Sequence, residues 1–162
     1  MNVRPLADDE VATVLASGLG LARLPRGDGS FYLVAWDEAE PLGHAHLALS
    51  DPPELQDVSV LERHRRRGVA SALTHAAEAE TVARGWDRLT LTVSVDNVVA
   101  QAVYRKLGYR DTGLPPRRVT GTVQIRSGPL EVDDTLLTWS KSLSISDSVV
   151  RRRDDIEHGR EP

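Results

Sequence analysis

Residues 88–95 alternate strictly, with Leu89, Leu91, Val93 and Val95 separated by polar residues. A period of two predicts a strand with one core face. Residues 31–36 form an unbroken apolar run and predict a buried strand. Asp37-Glu38-Ala39-Glu40 reads as its hairpin turn, and residues 42–49 as the returning partner. Pro52-Pro53 interrupts the chain before a further strand at 54–61. Past Gly68 the period changes. Val69, Ala72, Leu73, Ala76 and Ala83 fall at helical spacings, and Gly85 takes the usual C′ position.

The flanks follow the same rules. Residues 3–6 predict a short first strand, with Pro5 suited to an edge. Asp8 is the expected N-cap of a helix to Ser17, which turns Val11, Val14 and Leu15 inward and ends at Gly18 and Gly20. Residues 21–30 read as loop. Asn97 is the expected cap of a short helix to Leu107, stopped by Gly108, and Tyr109 begins another strand. A loop at 113–116 precedes two last strands, 119–125 and 135–143, separated by Gly128-Pro129. Such alternation predicts a mixed α/β sheet protein.

Composition narrows the picture. The 162 residues suit one domain with a sizeable core, expected over 1–143. Aromatic residues make up only 4%, so that core rests on Val, Leu and Ala. Residues 144–162 carry serines, Arg151-Arg152-Arg153 and Asp154-Asp155 but no aromatic residue, and are expected to form a mobile charged tail. The net charge of −4 argues against a nucleic-acid partner, which usually meets a broad basic face. The absence of cysteine excludes disulfides, a thiolate nucleophile and Cys-ligated metals. No run is long and apolar enough to span a bilayer, and no signal-peptide pattern opens the chain. A cytoplasmic protein without a membrane partner is therefore expected.

Against that acidic background one basic stretch stands out, Arg63-His64-Arg65-Arg66-Arg67-Gly68. It lies between a strand and a helix. Amides at a helix start lack intrahelical partners, and the macrodipole is positive there, so the junction suits an anion. Gly68 lets the backbone approach a phosphate, and the arginines add bidentate donors. The pattern lacks the three glycines of a dinucleotide fingerprint and the Gly-Lys-Ser/Thr of a P-loop.

Arg65-x-x-Gly68-x-Ala70 resembles the acyl-CoA pyrophosphate loop of the GNAT family of N-acetyltransferases. Val93-Ser94-Val95-Asp96-Asn97, with Tyr104 seven residues after Asn97 and a Leu107-Gly108-Tyr109 exit, is similar to that family's second acyl-CoA segment. With the outer strands, the resemblance covers about residues 3–143. It implies a mixed, mostly antiparallel sheet of six to seven strands flanked by helices, with two central parallel strands splaying apart around the pantetheine arm. The backbones of Val58 and Val60 would bind that arm. Those of Arg66, Arg67, Gly68, Val69 and Ala70 would cradle the pyrophosphate, with Arg65 adding charge. Asn97 and Tyr104 would line the arm's other side.

The implied function is acetyl transfer from acetyl-CoA, as cosubstrate and without a metal, to an amine. The attack would be direct, in a ternary complex. The acceptor would be an amine-bearing small molecule, a peptide or a protein. Such chemistry needs a proton removed from the ammonium and a proton for the leaving thiolate. By resemblance Tyr104 supplies the second. For the first, Gln56 stands where relatives often carry glutamate, and Thr92 occupies a second such position. Glu54 shares the face of Gln56 by strand alternation and is the expected base, acting through water, while Asp57 is expected on the opposite face. His44 and His46 share one face of the preceding strand and compete for the role, and no third metal ligand accompanies them.

A short interval before the second strand leaves room for only one proper helix there, which implies an open acceptor site. An exposed final strand would permit a homodimer. The alternatives are a non-catalytic acyl-CoA-binding or regulatory module, motivated by Gln56, and an RNA- or phosphopeptide-binding domain using the arginines.

Overall fold

In a computed structural model, residues 1–143 are described, and the tail expected over 144–162 lies outside them. The elements are β1 (Asn2–Pro5), a 3-10 turn (Asp8–Glu10) running into α1 (Val11–Ala16), β2 (Phe31–Asp37), β3 (Glu40–Ala48), β4 (Glu54–Val60), a 3-10 turn (Glu62–His64), α2 (Val69–Ala83), β5 (Arg88–Ser94), α3 (Val98–Lys106), β6 (Arg110–Asp111), β7 (Arg117–Ile125) and β8 (Gly128–Ser142). They form one sheet in the order β1-β2-β3-β4-β5-β8-β6, with β7 paired to β8. Eight strands are present when the two-residue β6 is counted. Every pairing is antiparallel except β4 with β5.

The sheet separates two cores. On one face α2 and α3 cover Leu33, Leu47, Leu55, Leu73, Leu89, Leu91 and Trp139. On the other, α1 and the loop after it cover Val14, Leu19, Leu21, Tyr32, Val34 and Trp36. Gly43 is needed where β3 meets β4, because a Cβ there would lie 2.7 Å from the Ser59 carbonyl oxygen.

Four local expectations are corrected. Ala7, not Asp8, holds the N-cap position, and the Glu10 carboxylate reaches back to accept the Ala7 N–H at 3.1 Å while clamping Arg4. Leu15 and Val95 are exposed, since α1 is a short helix on the rim and Val95 lies beyond the end of β5. Ala83 is exposed too, and α2 instead buries Ala77 with Thr74, Glu78 and Thr81. The threonine hydroxyls satisfy themselves on carbonyls four residues back, and Glu78 is met by Lys141 and Tyr109. Finally, Gly128-Pro129 lies inside β8, and the turn is Arg126-Ser127. Pro129 is tolerated because that half of β8 pairs only with β7, leaving its other edge without a ladder.

Candidate active site

β4 and β5 pair at only two positions, Glu54 with Thr90 and Leu55 with Leu91. Beyond them the strands diverge. A cleft of about 270 Å³ opens there, lined by Gln56, Asp57 and Val58 from β4, by Thr92, Val93 and Ser94 from β5, and by Asn97, Ala100, Tyr104 and Arg23. The splay expected between residues 54–61 and 88–95 is thus present.

A β-bulge shapes the β4 wall. His44 pairs with Ser59 and His46 with Gln56, so Ala45 faces both Asp57 and Val58. Asp57 sits at φ +49°, a left-handed conformation that Asp adopts more readily than most residues. The extra residue breaks the alternation. Leu55, Val58 and Val60 pack toward the α2 core, while Gln56 and Asp57 both turn to the other face. Asp57 therefore does not point away from Gln56, as uninterrupted alternation requires. Its signal was the odd step from Leu55 to Val58 before the regular step to Val60.

Asp57 is held in a polar cluster. Its Oδ2 accepts the Tyr32 hydroxyl at 2.6 Å and the Ala22 N–H at 3.2 Å, and His44 Nδ1 lies 4.0 Å away. Tyr32 packs edge-on against both His44 and His46. Burial lowers both histidine pKa values below the ordinary range, favouring neutral rings. Burial also raises the Tyr32 hydroxyl, as does its bond to Asp57. His46 Nδ1 is 3.2 Å from Gln56 Oε1. Among the described residues no group of His and acidic side chains is arranged to hold a metal.

Glu54 lies at the closed end of the β4–β5 pair and does not line the cleft. The carboxylate that does is Asp57. On the opposite wall Tyr104 packs its ring against the α2-side core, edge-on to Tyr109 at 5.9 Å. Burial pushes its hydroxyl up to about 12. Asn97 Oδ1 accepts the Ala100 N–H at 3.0 Å, so it caps α3 as expected, with its amide at the cleft.

The basic loop has the predicted geometry. Gly68 precedes α2 at φ +75°, and no side chain caps the helix. No acidic residue stands in its first turn. A Cβ on Gly68 would meet nothing within 4 Å, so glycine is set there by φ rather than by packing. Two of the arginines are tied to the β2–β3 hairpin. Arg63 pairs with Glu40 at 3.5 Å and Arg67 approaches Asp37 at 3.8 Å. His64, buried beneath them, lies 2.9 Å from Glu40 through Nε2 and accepts Arg67 at Nδ1, also at 2.9 Å. Arg65 and Arg66 have no acidic partner among the described residues.

The loop after α1 contains no second helix, as expected, but it is not loose. Arg126, from the β7–β8 turn, donates its backbone N–H to Ala22 O at 3.0 Å and Nε to Leu21 O at 2.9 Å. The hairpin therefore reaches across to hold one rim of the cleft. Sequence reading missed this tie, since 105 residues separate its ends.

The family model described as the acetyltransferase (GNAT) family matches residues 8–109. The chain belongs to that family. A curated relative, the L-amino acid N-acetyltransferase AaaT of Escherichia coli (strain K12), is 35% identical over 99 residues, covering 56% of this chain. The match spans 60% of that relative's length. Among solved structures, the ribosomal-protein-S18-alanine N-acetyltransferase of Escherichia coli aligns with a TM-score of 0.67 at 18% identity, covering 89% of this chain and 94% of that one. A GNAT family acetyltransferase from Elizabethkingia anophelis with acetyl-CoA bound aligns with a TM-score of 0.60 at 14% identity, covering 88% and 97%. At these identities the structural likenesses establish the fold alone. No helix among the described residues is long and apolar enough to cross a membrane.

Proposed function

We propose that the chain transfers the acetyl group of acetyl-CoA to an amine by direct attack within a ternary complex. The observation that carries this reading is the splayed cleft with two proton-handling groups entering from opposite faces of the sheet, Tyr104 and Asp57. The acyl-CoA pyrophosphate would sit on the uncapped start of α2, on the amides from Arg66 to Ala70, with Arg65 and Arg66 supplying charge. The pantetheine arm would run between β4 and β5. Beyond Leu55 the β4 edge that faces β5 has no ladder partner on β5, so backbone groups along that edge would be available to the arm or to the developing oxyanion.

Asp57, which lines the cleft where Glu54 does not, would hold the acceptor ammonium and receive its proton. Tyr104 would donate toward the departing thiolate. With its hydroxyl at about 12 it stays protonated at neutral pH, so its contribution is a donated hydrogen bond that becomes proton transfer as charge builds on sulfur. Without cysteine no thiol is present to carry the acetyl group.

The motive for the non-catalytic alternative is Gln56, and the bulge removes much of that motive by setting a carboxylate beside it. The test follows free-thiol release from acetyl-CoA against a panel of amines, peptides and proteins, with calorimetric titration of CoA. Acceptor-dependent thiol release supports transfer. Tight CoA binding with no release on any acceptor would favour the binding module.

A further inference from the structure

The cleft carries one anion and one cation that the proposed chemistry does not use together, Asp57 and Arg23. Arg23 is half-buried and has no acidic partner among the described residues; the other described arginines without one are exposed, and the half-buried Arg4 is met by Glu10. A guanidinium partly withdrawn from water gains most from a planar anion that accepts two of its N–H groups.

The base of this arginine is fixed. Its backbone N–H donates to the Tyr32 hydroxyl at 2.7 Å, and that hydroxyl donates to Asp57 Oδ2 at 2.6 Å. One oxygen atom thus links the backbone of Arg23 to the carboxylate of Asp57. Ala22 next door is bound from both sides, by Asp57 and by Arg126. Only one Asp57 oxygen is engaged in these bonds, which leaves Oδ1 for a ligand. The neighbouring rings add no charge to the balance. His44 and His46 are kept neutral chiefly by burial, and the nearby Arg23 charge pushes His46 further in that direction.

We infer that the acceptor is a zwitterion, a free α-amino acid whose ammonium is held by Asp57 and whose carboxylate is held by Arg23. The inference rests on the acetyl-transfer reading above. The two charges on one cleft are complementary to an ammonium and a carboxylate carried on one small molecule. A polyamine would bring only positive charge toward Arg23, and a peptide N-terminus would leave the guanidinium without its anion. Arg23 is then a specificity residue that binds the part of the substrate that does not react.

The test measures steady-state thiol release for a set of free L-amino acids, the corresponding amino-acid amides and the amines lacking the carboxyl group. The wild-type chain should favour the acids over their amides by about ten- to a hundredfold in kcat/KM, the span of a charge-assisted pair. Arg23→Ala should erase that ratio through KM for the acids, and Arg23→Lys should restore part of it. Equal use of acids and amides by the wild type would overturn the inference while leaving acetyl transfer standing. So would an Arg23→Ala effect of the same size on both. Absence of turnover on every acceptor, with acetyl-CoA still bound, would overturn the acetyl-transfer reading and this inference with it.

Discussion

Replacing Asp57 separates its structural contribution from its chemical one. Its side chain accepts two hydrogen bonds, from Tyr32 and Ala22, and its backbone sits at φ +49°. Asp57→Asn keeps an acceptor oxygen and a residue type that tolerates this conformation, but removes the charge. Each bond then falls from the charge-assisted range to the neutral one, a loss of about 1 kcal/mol apiece. The side chain is 24% exposed, which trims the total to about 1–2 kcal/mol. Asp57→Ala removes both bonds, leaves the Tyr32 hydroxyl without its acceptor at about 1–3 kcal/mol, and adds a left-handed backbone cost of about 1–2 kcal/mol. Urea unfolding should therefore rank wild type above Asn above Ala, with Ala about 3–5 kcal/mol below wild type. Turnover should not follow that ranking. Both variants lack a proton acceptor, so both should lose about 10²–10⁴ in kcat near neutral pH. Both should regain part of it as rising pH supplies free amine. If Asp57→Asn retains wild-type turnover with only the stability loss, Asp57 is a structural residue and the assignment fails. If Asp57→Ala is no less stable than Asp57→Asn, the account of the bulge is wrong.

Tyr104→Phe keeps the packed ring and should lower kcat about a hundredfold with little change in KM for acetyl-CoA; unchanged turnover would show that water or substrate protonates the thiolate. Gly68→Val should weaken CoA binding sharply by filling the space before α2, and should cost about 1–2 kcal/mol of stability because φ there is +75°; calorimetry with unchanged affinity would refute the loop assignment. His64→Ala removes the bridge between Glu40 and Arg67 and should raise KM for acetyl-CoA several-fold at constant kcat, an effect that should shrink when salt screens the arginine; equal KM values would mean that Arg67 plays no part in the donor site. His44 and His46 have lowered pKa values in the fold, so below pH 6.5 the unfolded chain binds more protons than the folded one. Stability should then be level above about pH 6.5 and fall below it, by up to about 1.4 kcal/mol per pH unit for each ring, until the folded-state values are reached; a urea midpoint that is flat from pH 7 to pH 5 would contradict this.

How much of the site was legible depended on how local its cause is. The geometry of the basic loop was readable because strand, glycine and helix start are consecutive in sequence, and the amides of a helix N-terminus need no distant partner. The spacing from Asn97 to Tyr104 was readable for the same reason, since the cap fixes where α3 begins and so where Tyr104 falls. The Arg126 tie and the approach of Arg23 were not readable, because each depends on where the β7–β8 turn and the loop after α1 meet in space.

Asp57 is the instructive intermediate case. A strict period of two through Glu54–Val60 puts Gln56, Val58 and Val60 on one face, which would expose two valines to the polar cluster and bury Asp57 against Leu73 and Leu91. The apolar spacing by itself argues against that arrangement, because Leu55 to Val58 is an odd step. Only a one-residue insertion in the ladder returns all three apolar side chains to the core. That insertion also turns the aspartate to the side of Tyr32, His44 and His46. The demand for apolar burial thus decides where the carboxylate stands. It also makes Gln56 a poor guide to whether the chain turns over, since the carboxylate proposed as the proton acceptor stands one residue further along the same strand.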